Sequence, residues 1–169
     1  MSIAIAPPLS RKRIVAIADF IRRLIKCETA FFDIIALIEF VIPQIDPTFY
    51  YEIVSDNSLK GVYAYYDPLT NTMVISASVY ERACAGVGRD RFTLAHEVGH
   101  YFLHHDGYLY ARSTQKIPKY RDPEWQANTF ASALLIPREL VMIMSISEIQ
   151  NKCKVSYQAA KIACESNWQ

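Results

Sequence analysis

The stretch "FTLAHEVGHYFLHH", residues 92–105, holds all four histidines of the chain. On a helix turning about 100° per residue, His96 and His100 point about 40° apart and offer two imidazole nitrogens to one volume. Glu97 lies beside them, about 60° around from His100. Two neutral imidazoles at this spacing suit a tetrahedral Zn2+. The adjoining carboxylate can take a proton from a zinc-bound water, whose pKa the metal lowers to about 7. That is the chemistry of an H-E-x-x-H helix. Phe92, Ala95, Val98, Phe102 and Leu103 surround the rest of the helix with apolar side chains. The helix is therefore predicted to be buried, with its polar residues sharing one sector in which they need partners.

Two histidines do not complete a zinc site, and a third protein ligand is required. His104 lies one turn beyond His100 on nearly the same face, where three ligands in a ladder surround an ion poorly. His105 points away if the helix continues. Asp106 falls at the third position of the H-E-x-x-H-x-x-G-x-x-H arrangement, but Leu103 stands where that pattern requires glycine. The remaining candidate is Glu124. In "DPEWQANTFASALLIP", residues 122–137, Glu124, Asn128, Ala131 and Leu135 recur at helical spacing beside Ala127, Phe130 and Leu134. A carboxylate at the edge of such a core stripe is costly unless it is paired or binds a cation. The plainer alternative is a helix-start glutamate favoured by the dipole. Asn128, one turn on, is placed to orient a ligand histidine by a hydrogen bond. Tyr101, Tyr108, Tyr110, Arg112, Tyr120 and Arg121 are all candidates for a donor to a developing oxyanion.

Further out, Asp122 caps the second helix and Pro123 suits its first position, so it should run to about Ile136, before Pro137. Ahead of the histidines, "CAGVGRDR" (84–91) is predicted as a loop with Asp90 as helix N-cap. The runs "FYYEIV" (49–54), "GVYAYYD" (61–67) and "TMVISASV" (72–79) are predicted strands, the last two joined by a turn with Pro68 at its second position. Two helices precede them. One starts at Ser10 with Ile14, Ile17, Ala18, Ile21 and Ile25 on one stripe, and one lies in "FFDIIALIEFVI" (31–42) and is ended by Pro43. After the histidines, "HDGYLYARSTQKIPKYR" (105–121) reads as an irregular loop, and the tail from Arg138 is helical by composition.

Composition sets the class. Of 169 residues, 51% are hydrophobic, including eleven Tyr and eight Phe, as in a globular chain with a core. Eighteen basic against seventeen acidic residues leave a formal charge of +1, which argues against direct nucleic-acid binding through overall charge. The densest basic positions, Arg11, Lys12, Arg13, Arg22 and Arg23, are interleaved with the Ile14 stripe and are expected on its solvated face. Cys27, Cys84, Cys153 and Cys164 form no C-x-x-C pair and are expected as reduced thiols in a cytoplasmic protein. No apolar run is long enough for a membrane span, and the N-terminus lacks the pattern of a signal peptide.

"RFTLAHEVGHYFLHH", preceded by "GVYAYYDPLTNTMVISASVYERACAGVGRDR" and followed by "EWQANTFASALLIP", resembles the ImmA/IrrE family of metallopeptidases, over residues 14 to 140 or thereabouts. The resemblance implies an α+β fold: a mostly helical, minimal thermolysin-like core with a small, largely antiparallel three-stranded sheet. It implies zinc, one ion per chain, held by His96, His100 and Glu124, with Glu97 as catalytic base. It also implies a zinc endopeptidase that cleaves helix-turn-helix repressors in the cytoplasm and so relieves repression of mobile-element or stress-response genes. Residues 1–140 are expected to form the metallopeptidase domain and residues 141–169 a helical tail packed on or appended to it. The tail "KVSYQAAKIACESNWQ" matches the family's C-terminal helix only loosely, and no added DNA-binding or sensor domain is expected. A metal-stabilised regulatory module that binds a repressor or DNA without cutting is the rival reading, and intact Glu97 disfavours it. A hydrolase acting on a non-peptide substrate ranks lower. Residues 73–78, with Ser76 and Ser78 beside Ala77, are expected to form the sheet edge along which an extended substrate pairs.

Overall fold

The computed structural model describes residues 2–112 and 117–166, with 2, 3 and 109–112 described through their backbone. β1 (Ser2–Ile5) leads to α1 (Arg11–Leu24), where the Ser10 hydroxyl accepts from the Arg13 N–H at 3.3 Å and caps the first turn. α2 (Ile34–Ala36), capped by Asp33, passes through a π-helical turn (Leu37–Val41) into α3 (Ile42–Ile45). Pro43 does not end this helix. The π turn shifts the hydrogen-bond register so that Pro43 enters the first turn of α3, where its missing N–H is not needed.

β2 (Tyr50–Val54), β3 (Ala64–Asp67) and β4 (Thr72–Ser76) follow. Their order in the sheet is β2-β4-β3, and β4 pairs antiparallel with β3 but parallel with β2. The sheet is therefore mixed, not largely antiparallel. The tight turn at Asp67–Asn71, tied by the Asp67 carboxylate to Leu69 N–H and Thr70 Oγ1, fixes the hairpin. Because β3 occupies one flank of β4, β2 takes the other. β4 also ends sooner than its alternation suggests. α4 (Ala77–Cys84) starts directly after Ser76, and the Asp56 carboxylate accepts from Ser78 N–H at 3.0 Å, a cap from 22 residues away.

α5 (Gly88–His104) carries the histidines. It begins at Gly88, so Asp90 is not its N-cap but lies within its first turn, held by the Arg82 guanidinium at 2.9 and 3.0 Å. A Cβ on Gly88 would lie 2.4 Å from the Val155 carbonyl carbon, so the start of α5 packs directly against the tail backbone. β5 (Leu109–Arg112) then pairs antiparallel with β1, giving a second, two-stranded sheet within the stretch read as irregular. α6 (Pro123–Leu135), capped by Asp122, crosses α5, and α7 (Arg138–Val141), α8 (Ile146–Cys153) and α9 (Tyr157–Glu165) complete the chain.

The core is one cluster in which Ile14, Ala18, Phe32, Leu37, Leu94, Val98, Phe130 and Leu134 meet Met73 and Ile75 of the sheet. Ile149, Cys153, Val155, Ala160 and Ala163 of the tail belong to the same cluster. Two arginines are buried with it. Arg22, expected on a solvated face, instead donates to Leu134 O at 2.7 Å and Thr29 O at 2.6 Å. Arg91, 1% exposed, donates to Phe32 O, Cys153 O and Lys154 O and lies over the Phe31 ring. The cysteines are free, and among the described residues no helix is long and apolar enough to cross a membrane.

Candidate metal centre

α5 and α6 approach closely because Gly99 faces Ala127. A Cβ there would already stand 3.1 Å from the Ala127 Cα and carbonyl oxygen. The approach brings Glu124, at the start of α6, over the histidine face of α5. His96 Nε2 and His100 Nε2 are 2.9 Å apart, Glu124 Oε2 is 3.3 Å from the first and Glu124 Oε1 is 3.4 Å from the second. Ligands bound at about 2.0–2.1 Å to a tetrahedral ion stand about 3.3 Å from one another, so this triangle fits such an ion. The donors fit too: two imidazoles and one carboxylate can close three corners, leaving a fourth open.

The electrostatics ask for a cation. Hydrogen bonds from His100 and His96 hold the Glu124 carboxyl well below the usual carboxylate range. Burial disfavours the charged form of His96, but Glu124, Glu97 and the Asn128 amide oxygen outweigh it and raise its pKa. Glu97 is not part of the triangle. It is buried, which raises its pKa against the opposing pull of His100 and His96, and Tyr66 N–H of β3 donates to its Oε2 at 2.9 Å.

The neighbours of the histidines divide by ring face. Asn128 Oδ1 lies 3.0 Å from His96 Nδ1 and so accepts its proton, leaving Nε2 directed into the triangle. On His100, Nδ1 meets Tyr108 Oη at 2.6 Å and His104 Nδ1 at 3.0 Å. His104 is thus buried behind His100 and away from the triangle, and burial lowers its pKa to about 4 although Gln126 opposes this. His105 meets Tyr66 Oη at 3.2 Å, and Asp106 is exposed and outside the group. Of the four candidates for a third ligand, Glu124 is the one whose carboxylate reaches both Nε2 atoms. Among the oxyanion candidates, Tyr101 donates to Asp46 Oδ2 at 3.0 Å and Tyr108 faces the outer nitrogen of His100. The side chains of Tyr110 and Arg112 lie outside the described residues.

Tyr66 and Gln126 were not anticipated. A main-chain donor carries no residue signature, and a glutamine inside a helical stripe looks like any other polar position. A groove lined by Arg89, Phe92, Thr93, Asn128, Ser132 and Ile162 runs from the Asn128 side of the triangle toward α9.

With this geometry, the family model described as the IrrE N-terminal-like domain (Peptidase_M78) matches residues 55–165. The chain belongs to this peptidase family. The match spans β3 and β4 of the sheet, α4, α5, α6 and the tail helices, and includes all three residues of the triangle. A search of curated proteins finds no match. Among solved structures, the chain is similar to a Mycobacterium tuberculosis transcriptional regulator at 16% identity and a TM-score of 0.55, covering 87% of this chain and 44% of that one. The fold of this chain is thus matched by less than half of that longer protein.

Proposed function

We propose that this protein is a zinc-dependent endopeptidase of the cytoplasm whose substrate is a helix-turn-helix repressor, so that cleavage relieves repression of mobile-element or stress-response genes. The observation that carries the peptidase reading is the division of labour at α5: His96, His100 and Glu124 converge with one corner open, while Glu97 is buried beside them and kept out of the triangle. A purely structural site is usually closed by four protein ligands and needs no carboxylate alongside. When bound, zinc supplies Lewis acidity, which acidifies water and polarises a scissile carbonyl. Glu97, steadied by Tyr66 N–H, accepts the proton of the attacking water and delivers it to the leaving amine. Its raised pKa makes it the stronger base for the first of these transfers. The repressor as substrate rests on the resemblance to the ImmA/IrrE family.

Residues 73–78 are not the docking edge. β4 is the central strand, and Ala77 and Ser78 belong to α4. The open edge beside Glu97 is β3. Ser76 N–H donates to Tyr63 O, so by antiparallel alternation Ala64 turns its main-chain groups outward, as Tyr66 does toward Glu97. An extended peptide pairs there. If so, a peptide bound to the Glu97→Gln protein slows hydrogen exchange of the Ala64 amide. Unaltered exchange in a saturated complex removes β3 from this role.

The central test incubates a candidate helix-turn-helix repressor with the zinc-loaded protein. Glu97→Gln keeps an acceptor for Tyr66 N–H, so the variant is expected to fold and to hold about one zinc per chain while cleavage falls by orders of magnitude. Undiminished cleavage refutes the mechanism. Equal gene activation by both proteins favours the regulatory module.

A further inference from the structure

We infer that the groove beside Asn128 takes one large apolar side chain of the substrate, on a residue adjoining the scissile bond, and that Ala159 and Ile162 of the tail helix α9 set which side chain fits. The inference rests on the endopeptidase reading and adds to it what the site selects.

The groove lies where it does because the two helices that carry the triangle run on beyond it. On α5, Phe92 and Thr93 stand one turn ahead of His96. On α6, Asn128 and Ser132 stand one and two turns past Glu124. A turn of helix rises about 5.4 Å, so both walls begin next to the triangle. α9 closes the far side with Ala159 and Ile162, and the enclosed volume is about 580 Å³. Consecutive residues of an extended chain are no more than about 3.6 Å apart. A side chain adjoining the bond held at the triangle therefore reaches the groove, and one several residues away does not.

Several lining residues are polar by name, but their polar atoms are engaged elsewhere. The Thr93 hydroxyl donates to Arg89 O at 3.2 Å within its own helix, and Ser156 Oγ caps α9 by accepting from Ala159 N–H at 3.1 Å. The Asn128 oxygen is taken by His96, and the Arg89 guanidinium lies over the Tyr63 ring, 5.1 Å from its centroid, on the β3 side. What remains for an incoming group is the Phe92 ring, the Ala159 methyl and the Ile162 side chain. Ala160 and Ala163 of α9 are fully buried in the core, whereas Ile162 is 49% exposed. A branched aliphatic or aromatic side chain gains by being covered there. Among the described residues the lining holds no acidic group, so a lysine or arginine side chain would lose its water with nothing to pair and with Arg89 beside it.

The test digests a library of peptides from a denatured proteome with the zinc-loaded, full-length protein and maps the cuts by mass spectrometry. Leu, Ile, Met or Phe should be enriched at one of the two positions adjoining the cut, with Lys and Arg depleted there. Ala159→Phe, which fills the groove, should turn that position toward small side chains by about 10-fold or more. Ile162→Glu, at a half-exposed position that tolerates the change, should admit Lys and Arg. A second measurement needs no catalysis: N-acetyl-leucinamide titrated into the metal-free protein should shift the Ala159 and Ile162 methyl resonances saturably, and N-acetyl-lysinamide about 10-fold more weakly or not at all. Cleavage without preference at either adjoining position, or with a preference that both variants leave unchanged, overturns the pocket while the peptidase stands. Leucinamide binding at Ile162 in a protein that cuts no peptide supports the pocket and overturns the peptidase reading. Neither binding nor cleavage overturns both. A dimer in sedimentation that Ile162→Glu dissolves, with cleavage preferences unchanged, makes the groove an interface between copies and overturns the inference.

Discussion

Asn128 and Asp46 show how single polar atoms at the edge of the core set the behaviour of α5. Asn128 offers one oxygen to His96 Nδ1, so Asn128→Ala leaves the ring free to turn and is expected to weaken zinc affinity about 10- to 100-fold in a chelator titration while the protein stays folded. Unaltered affinity would reduce Asn128 to packing. Asp46 accepts from Thr48, from Asn71 Nδ2 at 2.9 Å and from Tyr101 Oη at 3.0 Å, tying the β3–β4 turn to α5. Those hydrogen bonds, Thr48 first, hold its carboxyl below its ordinary value of 3.8. A depressed pKa means the unfolded chain takes up the proton first on acidification, so the contribution is present above 3.8 and is lost as pH falls through the folded value. Asp46→Asn should therefore lower the urea midpoint near neutral pH, with the gap to wild type narrowing toward about pH 3. A gap independent of pH would show that Asp46 acts only through shape.

At the scale of elements, the contact between α5 and α6 determines whether the triangle closes. Gly99→Ala gains helix propensity of about 1 kcal/mol but places a methyl 3.1 Å from Ala127 and the Phe130 ring, so the helices must part by a few tenths of an ångström. Overpacking of this kind costs about 1–3 kcal/mol. The ligands sit on both helices, so zinc affinity should fall together with the urea midpoint. A drop in stability alone would mean that the side chains of Glu124 and the histidines absorb the shift. Both helices were legible because their signals are local: spacing of apolar residues in each, and for α6 Asp122 as cap with Pro123 at the first turn, whereas the start of α5 two residues before Asp90 was missed. Glu124 was singled out as a carboxylate on a core stripe, but its side chain is 67% exposed, so burial does not account for its place beside His96 and His100. The pairing of β1 with β5 could not be anticipated, since each strand is four residues long and its partner lies over a hundred residues away. Nor could the mixed sheet or the early end of β4, which depends on a cap from Asp56. Arg22 defeated the charge pattern for the same reason. One of its carbonyl partners, Leu134, is distant in sequence, so a buried guanidinium and a solvated one look alike.

Taken as one molecule, the protein is closed by its tail. Gly88 abuts Val155, and the Arg91 guanidinium takes Cys153 O and Lys154 O, carbonyls at the negative end of α8. Removing residues 146–166 would strip those acceptors and expose Leu94-side core surface. Such a truncation is expected to lose cooperative unfolding in circular dichroism, and Arg91→Met, which breaks the contacts but leaves the tail, to lose about 3 kcal/mol or more. A truncated chain with a sharp thermal transition would make the tail an accessory. The guanidinium of Arg91 also imposes an order in time. Its acceptors are Phe32 O on one side and the 153–154 carbonyls on the other, so during synthesis the metal-binding residues, complete at Glu124, emerge before the helix bearing two of them can settle. At about 5–20 residues per second the ribosome needs seconds to supply the missing acceptors. For that interval α5 lacks the acceptors at Cys153 and Lys154, and the helix carrying His96 and His100 is expected to settle only after those residues have emerged.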